Sequence, residues 1–511
     1  MSSQNVSQQA EFGKVRAALW PIYNHELKKF LPMGFIMFCI LFNYTILRDV
    51  KDVLVMTAPN SGAGVLSFLK GWGVMPSAIL FVLLYTKLSN VVKRENLFYG
   101  IVLVFLAFFA SFAYIMYPNR ELIHPTSEAI QGLQAAYPNF KWIFPIYGTW
   151  TYSIFYILAE LWGSVMVSLL FWQFANEVTR TEEAKRFYAM FGLIANAALI
   201  VSGTVVEYFS DVKDKLPPEV DAWGYSLNYM MGSVVLAGVA SIALYWWMNS
   251  SILTDPRYYD AAAPKAKKEK KDKPKLGVID SFKLILTSPY IGYIAILVLS
   301  YGLSINLIEV VWKDQLKQAF PDANDYGRFM GQFSRATGIV TMLLIMFTKG
   351  VVRKFGWFTG AIVTPIILIT TGGLFFAFVF MKDAMTPMVA VFGISTTLAA
   401  AYVGAAQNIL AKGTKYSMFD PTKEMAYIPL DQELKVKGKA AVDVIGGRLG
   451  KAGGGYVQQG LLIATAGDIM TIAPYLGGVV AVCVGAWAMA VGALGKRYTA
   501  LLKQREAEKS E

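Results

Sequence analysis

Ala261-Ala-Ala-Pro-Lys-Ala-Lys-Lys-Glu-Lys-Lys-Asp-Lys-Pro-Lys275 interrupts a chain that is otherwise a succession of long apolar runs. A stretch this charged, with two prolines and no large apolar side chain, has nothing to bury and is expected to be a flexible linker. On each side of it lie runs long enough to cross a bilayer, for which about 20 apolar residues suffice. Of the 511 residues, 55% are hydrophobic and only 16% charged, against about 25% charged in an ordinary soluble protein. The chain is therefore an integral membrane protein.

Six spans precede the linker, near 31–50, 66–88, 97–117, 143–170, 187–209 and 227–248. Six follow it, near 288–311, 327–348, 356–380, 386–410, 440–465 and 470–494. The division is then residues 1–30 as an N-terminal segment, 31–248 as one half, 249–286 as linker, 287–495 as the other half and 496–511 as a tail. Basic residues test the count. Lys28 and Lys29, Lys93 and Arg94, Lys185 and Arg186, Arg353 and Lys354, Lys412 to Lys439, and Lys496 to Arg505 fall in alternate loops. The intervening loops hold few, among them Arg120, Lys141, Lys213, Lys313 and Lys382. By the positive-inside rule both termini and the linker are expected to be cytoplasmic. This topology also accounts for most of the net charge of +12; the Lys-rich linker is read as solvated and in touch with anionic lipid. The fold class expected is an all-α, twelve-helix, major-facilitator-like transporter in two six-helix halves. Its substrate site is expected near the midplane between them.

Within a span an ionisable side chain costs roughly 2.5–3.5 kcal/mol on insertion scales and is a functional candidate for that reason. Arg48, Asp49, Lys51 and Asp52 lie at the end of the first run, Glu160 in the fourth, Glu309 in the seventh and Arg335 in the eighth. Asp443, Arg448 and Lys451 lie in the eleventh. Arg48 and Lys51 are spaced i,i+3, as are Arg448 and Lys451, so each pair shares a helix face. Like charges held so close repel unless an anion lies between them. Together with Arg335, which has no carboxylate three or four residues away, they are read as the binding set for a multiply charged, phosphate-bearing anion. Local pairing is the competing reading, best placed for Arg48 with Asp52 and for Glu309 with Lys313. Glu160, Glu309 and Asp443 are read as charge-compensating or gating groups; a proton-carrying Glu is the alternative. Glu160 and Glu309 are taken as matching positions, each on the first or fourth helix of a half.

The seven glycines of Gly446–Gly460 fit close helix packing, with backbone approach to a phosphate as a second use. Tyr147, Tyr152, Trp162 and Phe333 are candidates for stacking on a base. The only cysteines, Cys39 and Cys483, sit in apolar runs, and the only histidines are His25 and His124. No metal site, cofactor or catalytic residue is expected. Gly450-Lys451-Ala452 is no phosphate loop, because position 445 is Ile and position 452 is Ala.

The charged segments resemble the nucleotide transporter family of plastids and obligate intracellular bacteria, the ATP/ADP translocases unrelated to the mitochondrial carrier. The resemblance covers nearly the whole chain. It is carried by Leu47-Arg-Asp-Val-Lys-Asp-Val-Leu54, Phe68-Leu-Lys-Gly-Trp-Gly-Val-Met-Pro76, Ala159-Glu-Leu-Trp-Gly-Ser164, Phe171-Trp-Gln-Phe-Ala-Asn176, Asn306-Leu-Ile-Glu-Val-Val-Trp-Lys313 and Gly450-Lys451. It implies counter-exchange of ATP and ADP as substrates. The family's important Lys, Glu, Glu and Lys would fall on Lys51, Glu160, Glu309 and Lys451. It also implies the inner membrane of an intracellular bacterium, a monomer, and the lipid bilayer rather than a nucleic acid polymer as surroundings. Two alternatives stay open at this stage: a proton-coupled carrier of other nucleotides or NAD, and a membrane enzyme acting on nucleotides or lipids.

Overall fold

The computed structural model describes residues 13, 16, 20–259, 278–348 and 350–510; the side chains of 181, 185, 278, 279, 281, 443–449, 451, 509 and 510 lie outside the description. Every element among the described residues is helical. Six long helices precede the linker: α1 (Leu27–Thr57), α2 (Ala63–Leu88), α3 (Arg94–Met116), α4 (Trp150–Val178), α5 (Thr181–Ser210) and α6 (Ala222–Ile252). Six follow: α7 (Pro289–Ala319), α8 (Ala323–Thr348), α9 (Val351–Phe380), α10 (396–426), α11 (Gln432–Thr465) and α12 (Ile469–Ser510).

Ten of these are long and apolar enough to cross a membrane; α10 and α11 are not apolar enough by the same measure. Several boundaries differ from those read in the sequence. α4 starts at Trp150, because 117–149 forms an excursion of short helices, Arg120–Ile123, Ser127–Ala136 and Phe144–Gly148. α10 runs on to residue 426, well past 410, and α12 continues to Ser510 through the expected tail. Of the expected linker, 260–277 lies outside the described residues; Met248–Ile252 closes α6, and Val278–Thr287 is a separate helix.

α1 and α7 are the most enclosed helices of their halves. Each has 31 residues, and the offset between them is constant (289 − 27 = 319 − 57 = 262). The halves join where α5 crosses α8. A Cβ on Gly203 would lie 2.7 Å from the Gly331 carbonyl, and one on Gly331 would lie 2.7 Å from the Gly203 carbonyl. Glycine at both positions is what lets these backbones approach.

Further bonds between the halves gather at the same end of the molecule, where α1 stops and α2 begins. Gln459 Nε2 donates to the Ser67 carbonyl at 2.7 Å, and Trp72 Nε1 donates to Gln459 Oε1 at 3.0 Å. Asn324 Nδ2 donates to Ser226 Oγ at 2.8 Å, Trp142 Nε1 to the Gly467 carbonyl at 3.0 Å, and Lys317 to the Ser61 carbonyl.

Candidate functional site

Five buried or half-buried charges alternate in sign along a line through the centre of the molecule. Glu160 Oε1 of α4 is 3.0 Å from Lys51 Nζ of α1, and Lys51 Nζ is 2.8 Å from Asp52 Oδ1. Asp52 Oδ2 is 2.8 Å from Lys313 Nζ of α7, and Lys313 Nζ is 3.2 Å from Glu309 Oε1. The two lysines and Asp52 are 3% exposed, whereas Glu160 and Glu309 are 30% and 24% exposed. The glutamates thus cover the lysines from the accessible side.

The helices place these groups by position. The 262-residue offset between the bounds of α1 and α7 carries Lys51 onto Lys313, so by helix position the matched pair is the two lysines and not the two glutamates. Glu160 lies three residues before the π-helical segment Gly163–Phe171 of α4. Lys412 lies three residues before the π-helical segment Lys415–Phe419 of α10. Lys412 thus stands before its π-helical segment as Glu160 does, with the charge reversed. Lys70 is the second residue of the π-helical segment of α2, Leu69–Val74. π-turns of this kind recur at functional sites because they re-aim side chains.

Lys70 and Lys412 flank the line of charges. Lys70 is within electrostatic reach of Glu309 and Glu160. It lines a small polar pocket between α2, α7 and α11 with Ser67, Asn306, Glu309, Lys313 and Gln458. Lys412 is within reach of Glu309 and sits 4.9 Å over the Phe333 ring. Counting Lys51, Lys70, Lys313 and Lys412 against Asp52, Glu160 and Glu309 leaves one positive charge in excess among the described side chains.

The remaining sequence candidates divide. Arg48 does not take Asp52, which is already claimed by two lysines; it pairs with Asp49 at 3.1 Å, and both bond Ser334 of α8. Arg335 is ion-paired with Glu207 of α5 at the crossing of the halves, so it is not a free cation. Phe333 packs against Trp312 at 4.8 Å, beside the cluster. Tyr147 is on the excursion and mostly exposed. Tyr152 stacks on Tyr117 at the start of α4, and Trp162 is buried with its indole nitrogen on the Ile40 carbonyl. Neither touches the line of charges; Tyr156 does, its ring 4.0 Å beneath Lys51 Nζ. The side chains of Asp443, Arg448 and Lys451 lie outside the described residues.

Lys70, Lys313, Lys412 and Tyr156 are the members that sequence reasoning did not single out as site residues. Lys70 sits inside the apolar run 66–88, so the cost of a buried charge points to it. Tyr156 is one turn before Glu160 on the same face.

Such an arrangement suits an anion with several charges. Two lysines are covered by displaceable carboxylates, and two more have no carboxylate at ion-pair distance among the described side chains. Oxygen atoms of a phosphate chain are acceptors of the right kind for ammonium donors.

The sequence model of the TLC ATP/ADP transporter family matches residues 5–498. "ADP,ATP carrier protein 1" of Chlamydia trachomatis is 49% identical over 502 residues, covering 98% of this chain and 94% of that one. The chloroplastic "ADP,ATP carrier protein 1" of Arabidopsis thaliana is 48% identical over 483 residues, 94% of this chain and 76% of that one. A Rickettsia bellii protein of the same name is 46% identical over 495 residues, 96% and 98% respectively. In fold, the chain resembles a bacterial homologue of the iron transporter ferroportin (TM-score 0.56, 14% identity, 93% of this chain and 100% of that one). It also resembles the xylose transporter XylE from E. coli (TM-score 0.54, 11% identity, 91% and 94%). These likenesses show the all-helical, major-facilitator-like transporter fold.

Proposed function

The chain belongs to the TLC ATP/ADP transporter family, and on that premise we propose that it exchanges ATP for ADP by alternating access of its two halves, without hydrolysis. It is a multi-pass membrane protein and a carrier rather than an enzyme. The observation that carries the reading is the line Glu160–Lys51–Asp52–Lys313–Glu309, which joins the halves through Asp52 and Lys313.

In the empty carrier the glutamates serve as the anions of the site. A nucleotide's phosphates replace them on Lys51 and Lys313, with Arg448 and Lys451 of α11 as further candidates. The Asp52–Lys313 pair is then free to part as the halves rock. Without substrate, parting them takes from Asp52 and from Lys313 one of the two partners each holds in a desolvated place, a cost bounded by the roughly 3–5 kcal/mol of a fully broken buried pair. That penalty slows return of the empty carrier and makes exchange obligatory. The chain is oriented with both termini in the cytoplasm. The bonds gathered between the halves then close the outer end, and the site is presented to the cytoplasm.

Competition against uptake of labelled ATP tests the reading. Unlabelled ATP and ADP should compete strongly, and AMP, adenosine and NAD weakly. Stronger competition by NAD than by ADP would contradict it.

A further inference from the structure

Lys70 is a cation within a helix that carries no carboxylate at ion-pair distance among the described side chains, and it lines the polar pocket between α2, α7 and α11. The pocket lies on the closed side of the line of charges. Its floor is formed by Ser67, whose carbonyl accepts from Gln459 Nε2 at 2.7 Å, and by Gln458, whose Nε2 reaches the Asn306 carbonyl at 3.4 Å. It has room for little more than a water-sized group. A nucleoside does not fit such a space. A phosphoryl group needs in addition the space that the Glu309 carboxylate, itself part of the lining, gives up on withdrawing from Lys313.

We propose that Lys70 and Lys313 together hold the terminal phosphate of the nucleotide in this pocket, so that Lys70 sets the preference for longer phosphate chains. The inference rests on the nucleotide-exchange reading above. A lysine left unpaired in a desolvated place is costly unless an anion joins it. A phosphoryl group supplies that anion and at the same time takes over the partner that Glu309 gives up. Neighbouring Asn306 and Gln458 offer amide donors, while Glu309 repels any phosphate that enters while it remains in place. Substrate length is thereby coupled to release of the Glu309–Lys313 pair.

The test is competition against labelled ADP uptake in proteoliposomes preloaded with ADP, using ATP, ADP and AMP on wild type and Lys70→Gln. Loss of one charge-assisted contact should raise the half-inhibiting concentration of ATP by roughly ten- to hundred-fold. The shift should be smaller for ADP and least for AMP. Lys70→Arg, which keeps the charge in a different shape, should show the same order at smaller amplitude. If Lys70→Gln does not insert, Lys70→Arg carries the test alone. An equal shift for the three nucleotides, or none, overturns the role of Lys70 and leaves nucleotide exchange standing. Absence of exchange in wild type overturns the functional reading itself.

Discussion

Asp52 and Lys313 are joined across the two halves by a 2.8 Å ion pair in which both side chains are 3% exposed. Lys313 is the positional twin of Lys51, which holds the other oxygen of the same carboxylate at 2.8 Å. One carboxylate of α1 therefore grips two equivalent lysines, and the symmetry of the halves meets at a single group.

Removing either lysine takes one of two cations from buried Asp52 and leaves Glu160 or Glu309 without its ion-pair partner. Lys51→Ala and Lys313→Ala should each lower exchange at least tenfold, a single charge-assisted contact being worth about 1.5–3 kcal/mol. Initial rates of ADP-loaded proteoliposomes check this, normalised to inserted protein. Wild-type exchange by either variant would remove that lysine from the mechanism.

Asp52→Asn loosens the link between the halves while Glu160 and Glu309 still hold the lysines. A cysteine placed at Ser61, which is 8% exposed at the closed end, should then react faster with an impermeant thiol reagent from outside. Unchanged labelling would show that Asp52 does not keep that end shut.

Much of this was legible in the sequence, and what was not has a common cause. The expense of charge inside apolar runs pointed to Lys51, Asp52, Glu160 and Glu309. Local spacing paired Arg48 with Asp52, but two lysines, one of them 261 residues beyond Asp52, compete for that carboxylate and win. Arg335 had no neighbour along its own helix, yet Glu207 reaches it from 128 residues away. Lys412 fell into a loop because the apolar run ends near 410, whereas the helical backbone of α10 continues to residue 426. Partners distant in the chain are fixed by how helices cross, which periodicity does not encode.

The α5–α8 crossing gives a packing prediction. A Cβ at Gly331 meets backbone of α5, which cannot move aside as a flexible side chain can. Gly331→Ala should destabilise the protein by roughly 1–3 kcal/mol, as overpacking does, and slow exchange. Thermal unfolding of the purified protein in detergent measures the first, and a melting temperature equal to wild type would contradict the tight crossing.

Orientation is tested by labelling in intact cells. Asn119→Cys, exposed at the start of the excursion, should react with an impermeant reagent, and Ala262→Cys should not. Reaction at Ala262 would reverse the topology and, with it, the side to which the site is presented.

Glu160 and Glu309 separate charge compensation from direct binding of substrate. Glu→Gln keeps size and hydrogen bonding but removes the anion that covers each lysine. Exchange should fall while ATP still protects the purified variant against heat, because the cations remain. Loss of protection together with loss of exchange would instead make the glutamates part of the binding site.

Net and exchange flux in wild type test the central claim most directly. Labelled ATP is offered to proteoliposomes that are empty or preloaded with ADP, each with and without an imposed pH step. The account predicts uptake only where ADP is inside, matched by its efflux and indifferent to the pH step. Uptake into empty liposomes driven by the pH step would contradict it and make the protein a proton-coupled carrier.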